Sequence, residues 1–419
     1  LDFVQFVESD VVDQLNHDES TPMALSDYGR STYDGGFNAL AVTGVIDSGA
    51  DLSHEALNHV YWVGWDQSAE GDVTLDNCEH GSHVAGTVLG LPAAARLGYT
   101  GNAPGVGGSA TLRARFVKWF SGVGCGNSGT SHSTLYSHMR SSFTDGSGNI
   151  SAKPHAVNNS WGSFAIGWIG SEANARTLDT EVWNYDQLYV FAAGNDGSTA
   201  SSIGLPGVAK NAFTVASVID YDDATDGDPG SIRSSSSRGP CGDNRWKPNI
   251  AAPGRWIRSV DANSTNGYAD KSGTSMAAPH ITGIAAQLAD HHSFTRYAPQ
   301  RAASLLMATA MTNNDQVLTS PSSVATDHLN QFGTGRVNAA KAHYGFTDAT
   351  WSNWGSTLSS GTSTFSDFTV GAGCTRLVVC LTYYEDQSSA GAAQALVNDL
   401  DLWIDSPTGG IDPAMNTGE

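Results

Sequence analysis

The chain is poor in cysteine and in positive charge, and it holds no long apolar run. Five cysteines, Cys78, Cys125, Cys241, Cys374 and Cys380, are spread over 419 residues. They are too few and too scattered for a disulfide-dense scaffold, and their odd number leaves at least one thiol unpaired. Cys374 and Cys380 fall on one predicted strand, about 20 Å apart when extended. That exceeds the Cα separation a disulfide allows, so these two are not expected to bond each other. No Cys/His spacing fits a zinc site and no His-Glu-x-x-His occurs, so the sequence signatures of zinc hydrolases are missing. No stretch approaches the roughly 18 uninterrupted apolar residues of a membrane span. The N-terminus, Leu1-Asp2-Phe3-Val4, lacks the basic and apolar regions of a signal peptide, and the chain reads as a mature, processed form. Lys and Arg together number 21 against 42 Asp and Glu, a net charge of −21, with Lys the rarer of the two cations. Such a balance argues against nucleic acid or an anionic membrane as partner. It suits solubility, calcium and tolerance of salt.

What is present fits a large α/β domain followed by a smaller one. At 43.8 kDa the chain exceeds what one hydrophobic core usually holds. Residues 1–30 read as a strap or short helix over the main domain. Residues 39–46 are nearly all apolar, as suits a strand buried on both faces of a parallel sheet. Similar runs lie at 112–120, 155–161, 188–193 and 212–218, and helical patterns lie between several of them, at 83–91, 133–143 and 172–183. This alternation predicts a doubly wound parallel sheet with helices on both faces. A further helix is expected at 302–310. From about 347 onward Ser, Thr and Gly become dense, and alternating runs at 364–370, 376–384 and 396–404 predict a β-sandwich or barrel. The expected division is 1–345 and 346–419, with no linker or repeat between.

In open α/β sheets the ligand sits beyond the carboxyl ends of the strands. Three polar signals fall there: Asp47-Ser48-Gly49, Ser160 after Asn158-Asn159, and Gly194-Asn195 after Ala192-Ala193. Each alone would be an ordinary turn. The stretch Gly273-Thr274-Ser275-Met276-Ala277-Ala278-Pro279-His280 places a serine where a turn meets a helix whose apolar face runs through Ile281, Ile284, Ala285 and Leu288. An oxyanion forming beside Ser275 would face unpaired backbone N–H groups and the positive end of the helix dipole. Nucleophilic cleavage of an amide also needs a base, a carboxylate to orient it and donors for the oxyanion. Asp47 is the candidate carboxylate and Asn195 a candidate donor, with the Ser275 N–H as its partner. The base comes from His80-Gly81-Ser82-His83-Val84-Ala85-Gly86-Thr87, where spacing alone does not choose between His80 and His83.

Taken with Asn159-Ser160-Trp161-Gly162, these blocks resemble, in order, the signature segments of the subtilisin-like serine proteases (subtilases, peptidase family S8). The resemblance implies Asp47, His80 and Ser275 as the catalytic residues with Asn195 in the oxyanion hole, and so points to His80 as the base. Ser82 departs from the family's usual threonine. The resemblance further implies that Ser160, Trp161 and Gly162, with Ala192, Ala193 and Gly194, bind extended substrate by strand pairing. Gly204 would form the floor of the pocket for the residue before the cut, with a preference for large apolar side chains; a turn glycine ahead of Pro206 is the alternative.

Ser236-Ser237-Arg238-Gly239-Pro240, Gly333-Thr334-Gly335-Arg336-Val337-Asn338 and Asn398-Asp399-Leu400-Asp401 resemble segments of the KP-43 group of alkaline subtilases, which carry a C-terminal jelly-roll-like barrel and calcium. The chain ends at Glu419, earlier than that group, so this domain is expected to be incomplete. Glu385, Asn398, Asp399 and Asp401 are the expected structural calcium ligands, Asp179 and Asp186 weaker ones, and the acidic run 220–228 is expected to be a solvated loop. No organic cofactor is expected. The family implies an extracellular endopeptidase with an alkaline optimum, acting on proteins and peptides, with a propeptide as folding aid and inhibitor. A monomer is expected. A catalytically inactive binding module and an α/β-hydrolase esterase are the competing readings. The intact blocks argue against the first, and the order Asp, His, Ser and the lack of Gly-x-Ser-x-Gly against the second.

Overall fold

A computed structural model describes residues 17–30, 33–35, 42–93, 99–106, 114–140, 142–144, 150–220, 229–311, 323–344, 362, 378–400 and 402. Its centre is a seven-stranded sheet. In chain order the strands are β1 (Thr43–Asp47), β2 (Trp62–Asp66), β3 (Ala114–Lys118), β4 (Ala156–Asn159), β5 (Leu188–Ala192), β6 (Phe213–Val218) and β7 (Ile250–Pro253). They lie in the order β7-β6-β5-β4-β1-β3-β2, and every pairing is parallel.

β1 is flanked by β3 on one side and β4 on the other, with Ile46 opposite both Val117 and Asn159. The order therefore reverses at β1, and a crevice opens at its carboxyl end. Asp47 is the last residue of that strand.

The alternation of side chains explains how the sheet is covered. Along β5, Leu188, Val190 and Ala192 enter the core beneath α3 (Thr274–His291), with Ile281, Ile284 and Leu288. Tyr189, Phe191 and Ala193 enter the opposite core with Ala175, Leu178 and Val182 of α2 (Ala173–Tyr185). The run is apolar at every position because both faces are covered. Full burial of each of these large side chains contributes about 1.5–3 kcal/mol. α3 is buried around nearly its whole circumference, as expected of a helix apolar on all sides. A third core joins β1 and β3 to α1 (Gly81–Leu89) through Val45, Phe116, Val84, Val88 and Leu89.

Several boundaries depart from the sequence reading. The strands β2 and β7 were not anticipated. Both lie at sheet edges: β2 contains Gly64 and is only partly buried, and β7 ends in Pro253, so neither shows a long apolar run. The helix expected at 133–143 covers only His132–Ser137, and Phe143–Thr144 pairs with Ile150–Ser151 as a short antiparallel ladder. The helix expected at 302–310 runs Pro299–Ala308, with Pro299 in its first turn.

Cys78 and Cys125 form a disulfide, and Cys241 and Cys380 are free thiols. Cys374, the predicted strand 364–370 and most of the acidic run 220–228 lie outside the described residues, as does most of 346–419. Residues 378–384 and 396–400, expected as strand, are irregular. The stretch between them packs on the α/β domain through Arg176, which donates to the Ser388 carbonyl at 2.8 Å, and through Asn211, which donates to the Glu385 carbonyl at 2.8 Å.

Candidate active site

Two glycines dictate how the Asp47 and His80 segments meet. Gly49 has φ +114°, and a Cβ there would lie 2.7 Å from the Leu75 carbonyl oxygen; one on Gly81 would lie 2.1 Å from that of Gly49. No larger residue lets the two segments approach so closely.

Asp47 is buried at the end of β1. Its Oδ1 accepts from the Ser48 N–H at 2.8 Å and lies 2.8 Å from His80 Nδ1. A second carboxylate supports this pair. The Ser48 hydroxyl donates to Asp76 Oδ1 at 2.8 Å and accepts from the Gly81 N–H at 2.8 Å, while Asp76 Oδ2 accepts from the Ser82 N–H at 2.7 Å. Two orphan donors at the start of α1 are thereby satisfied, which fixes the backbone that carries His80. Sequence reasoning missed Asp76. The available signal was an acidic residue just ahead of a small-residue helix, where a cap belongs. Ser82, in place of the family's threonine, uses its hydroxyl to accept from the Asp51 N–H at 2.8 Å.

Electrostatics separate the two histidines. For His80, burial opposes the charged ring, but the Asp47 carboxylate, with Asp76 beyond it, outweighs that and holds the pKa above its ordinary 6.5. The ring remains partly accessible. His83 is fully buried, with Nε2 2.9 Å from the Ile257 carbonyl and 3.0 Å from that of Ala269. It ties α1 to the hairpin Ile257–Val260/Tyr268–Lys271, and burial, then Lys271 and His80, push its pKa down to about 3. Of the two, only His80 meets Asp47.

Ser275 occupies the first turn of α3. Its hydroxyl donates to the Ser160 carbonyl at 3.0 Å, and the Ser160 hydroxyl donates to the Ser275 carbonyl at 2.8 Å. Asn158 adds to this tie, its Nδ2 donating to Ser160 Oγ at 2.9 Å and its Oδ1 accepting from Thr282 at 3.1 Å. The serine is thus fastened to the end of β4, the neighbour of β1. Its hydroxyl makes no hydrogen bond to His80 in this structure, and reaching that ring requires rotation away from the Ser160 carbonyl.

Asn195 Oδ1 accepts from the Thr274 N–H at 3.0 Å. A backbone N–H can face only the oxygen of the amide, so Nδ2 is directed away from Thr274. Asn195 is exposed, and its Nδ2 and the Ser275 N–H are two donors able to meet a negatively charged oxygen.

The predicted substrate segments adjoin this group. Trp161 Nε1 donates to the Ile46 carbonyl at 2.9 Å, and the indole packs against Trp119 and Phe191. Ser163 and Leu205 exchange backbone hydrogen bonds of 2.8 and 3.0 Å, and the Gly204 N–H donates to the Ala193 carbonyl at 2.8 Å. Gly204 and Leu205 together therefore link Ala193 to Ser163, the residue after the 160–162 segment. A Cβ there would lie 3.5 Å from the carbonyl oxygens of both Ala193 and Ser163.

Of the expected calcium ligands, Glu385 is committed to donors among the described residues. Glu385 Oε1 pairs with Lys210 Nζ at 2.9 Å and accepts from the Val397 N–H at 2.7 Å; Oε2 accepts from the Asn398 N–H at 2.7 Å and Nδ2 at 2.8 Å. Both oxygens face donors, a poor fit for a calcium ligand. Asp399 is described, and Asp401 lies outside the described residues. Asp179 is buried, and its Oδ1 accepts from the Asn211 N–H at 2.9 Å.

Residues 40–346 match the subtilase family. Thermitase of Thermoactinomyces vulgaris is 29% identical over 303 residues, which cover 71% of this chain and 86% of thermitase. Subtilisin E of Bacillus subtilis is 32% identical over 250 residues, 59% of this chain and 55% of that protein. The chain thus spans most of thermitase but about half of subtilisin E. Among solved structures, the prenylagaramide maturation protease PagA superposes with a TM-score of 0.53 at 21% identity over 78% of this chain and 99% of its own. A mutant of the protease domain of PatA gives 0.52 at 21% identity, over 74% and 96%. At that identity the likeness is one of fold.

Neutral burial of His83 has a consequence for stability. Its folded pKa lies below the unfolded value, so the stabilisation is complete above about pH 6.5 and is lost as pH falls toward about 3. His83→Gln is expected to lower stability at neutral pH and to flatten the dependence of melting temperature on pH between 6.5 and 3. An unchanged slope would show that His83 does not titrate on unfolding.

Proposed function

Because the chain belongs to the subtilase family, the subtilisin-like serine proteases, we propose that it is a serine endopeptidase that works through Asp47, His80 and Ser275. The observation that carries this reading is the 2.8 Å hydrogen bond between His80 Nδ1 and buried Asp47. It lies at the switch point of a sheet whose neighbouring strand end holds the Ser275 hydroxyl.

In the reaction Ser275 Oγ leaves the Ser160 carbonyl, passes its proton to His80 Nε2 and attacks the peptide carbonyl carbon. Asp47 accepts the Nδ1–H bond throughout and stabilises the imidazolium. Charge developing on the carbonyl oxygen is met by Asn195 Nδ2 and the Ser275 N–H. As the tetrahedral intermediate collapses, His80 returns the proton to the leaving amine, and the acyl group remains on Ser275. Water then attacks the ester, again losing its proton to His80, and the acid departs as Ser275 regains its hydrogen.

His80 must be neutral to act as the base. Since Asp47 and Asp76 hold its pKa above 6.5, activity rises with pH through that raised value and favours alkaline conditions. Extracellular placement fits the Cys78–Cys125 disulfide, since such bonds persist in oxidising compartments. Glu385 is spent on Lys210 and on amide donors, and no step is assigned to calcium.

Ser275→Ala is expected to abolish casein hydrolysis, and full retained activity would refute the reading. Asn195→Ala should lower kcat by about 10²–10³ with KM little changed, the loss measured for such a donor in this same family.

Large apolar side chains are the proposed preference before the cut, in the space between the 160–162 and 192–194 segments above Gly204. Gly204→Val places branches beside carbonyls already 3.5 Å from its Cβ and should shift a peptide-library profile toward small residues at that position. An unchanged profile would make Gly204 a turn glycine only.

A further inference from the structure

The hairpin that leads into Ser275 carries a charge that the chemistry above does not use. Its second strand, Tyr268–Lys271, is followed by Ser272, Gly273 and Thr274 and then by the serine. In the antiparallel ladder Lys271 stands directly opposite Ile257, and Ala269 opposite Ser259. Residues directly opposite each other, and those two apart along a strand, share one face. That face is turned toward α1. Ile257 packs in one core with Val84 and Val88, the Ser259 hydroxyl donates to the His83 carbonyl at 2.8 Å, and the His83 ring meets the Ala269 carbonyl at 3.0 Å. Lys271 therefore stands at the Ser275 end of the hairpin on the side where α1 begins, and His80 is the residue that caps α1.

The Lys271 ammonium is left without a counter-charge. The side chain is partly accessible and has no hydrogen bond or ion pair among the described residues. Asp270, on the other face of the strand, pairs with Arg258 at 2.9 Å. Of the acids close to His80, Asp47 and Asp76 are buried and already accept hydrogen bonds, and Glu79 belongs to the loop ahead of α1 rather than to the hairpin. The charge of Lys271 reaches both histidines. Burial and then Lys271 lower the His83 pKa to about 3, and at His80 Lys271 works with burial against the two carboxylates.

The reaction defines what passes this point. His80 returns its proton to the leaving amine, so that amine must come within hydrogen-bond reach of the ring. The acyl part of the substrate runs along the 160–162 and 192–194 segments, which leaves the residue just after the cut on the His80 side, beside the end of the hairpin. A carboxylate on that residue meets an unpaired ammonium, and a second ammonium is repelled by it.

We propose that Lys271 selects the residue immediately after the cut, favouring Asp or Glu there over Lys or Arg. The inference rests on the serine endopeptidase reading and adds to it a specificity on the leaving-group side. With a net charge of −21 the chain as a whole repels acidic peptides, so a preference for them at one position is the local effect of this cation.

The test is a set of internally quenched peptides that share one large apolar residue before the cut and differ only in the residue after it, Asp, Gln or Lys. They are cleaved by the full chain at low and at high salt, at a pH where His80 is neutral. kcat/KM should fall in the order Asp, Gln, Lys, with a span of about 5- to 20-fold at low salt, the combined effect of one exposed attraction and one repulsion. The span should narrow as salt screens the charges. Lys271→Gln should bring the three peptides within about 2-fold of one another, and Lys271→Glu should invert their order. Each ratio is taken within one variant, so any loss of folded enzyme cancels. An unaltered chain that cleaves all three alike, or an Asp-to-Lys ratio that survives Lys271→Gln, overturns the proposal and leaves the endopeptidase reading standing. If no peptide is cleaved and Ser275 takes up no fluorophosphonate, that reading fails and the proposal with it.

Discussion

The hydrogen bond between His80 Nδ1 and Asp47 Oδ1 is the interaction on which the rest of the site depends. It fixes the ring's orientation and leaves Nε2 facing outward, and it reverses the effect of burial on the imidazole. The bond forms because β1 delivers a carboxylate to the sheet's switch point and because Gly49 and Gly81 let the two segments touch. Asp76 and Ser48 then pin the start of α1, so that His80 is held from its backbone as well as its ring.

Much of this was legible in the sequence because the determinants are local. The unbroken apolar runs announced strands covered on both faces, and β5 shows why, feeding alternate residues to the α3 and α2 cores. Asp47, Asn195 and Ser275 stood out because small, glycine-containing turns follow strands or precede helices at those points. Spacing did not separate His80 from His83, since both lie near one helix start. The difference is tertiary: His80 meets Asp47, and His83 meets two carbonyls of a hairpin more than 170 residues later.

What was not legible depends on residues far apart in the chain. Asp76 looks like any acidic loop residue until the Ser48 hydroxyl and the Ser82 N–H of α1 converge on it. The cluster 385, 398 and 399 had the composition of a calcium site, but the fold brings Lys210 and backbone donors to Glu385 first. The edge strands β2 and β7 lack the apolar continuity that marks the inner ones. His291 and His343 are 52 residues apart and become neighbours only when the last helix packs beside the end of α3. α3 therefore has Ser275 at its dipole-positive end and an imidazole cluster at the other.

The central claim is that Asp47 and His80 activate Ser275. Mapping of a fluorophosphonate adduct by mass spectrometry, at several pH values and in the Asp47→Asn variant, tests it most directly. The account predicts a single adduct on Ser275, formed faster as pH rises through a midpoint above 6.5 and strongly slowed by Asp47→Asn. An adduct on another residue, or a labelling rate indifferent to both pH and Asp47, would contradict it.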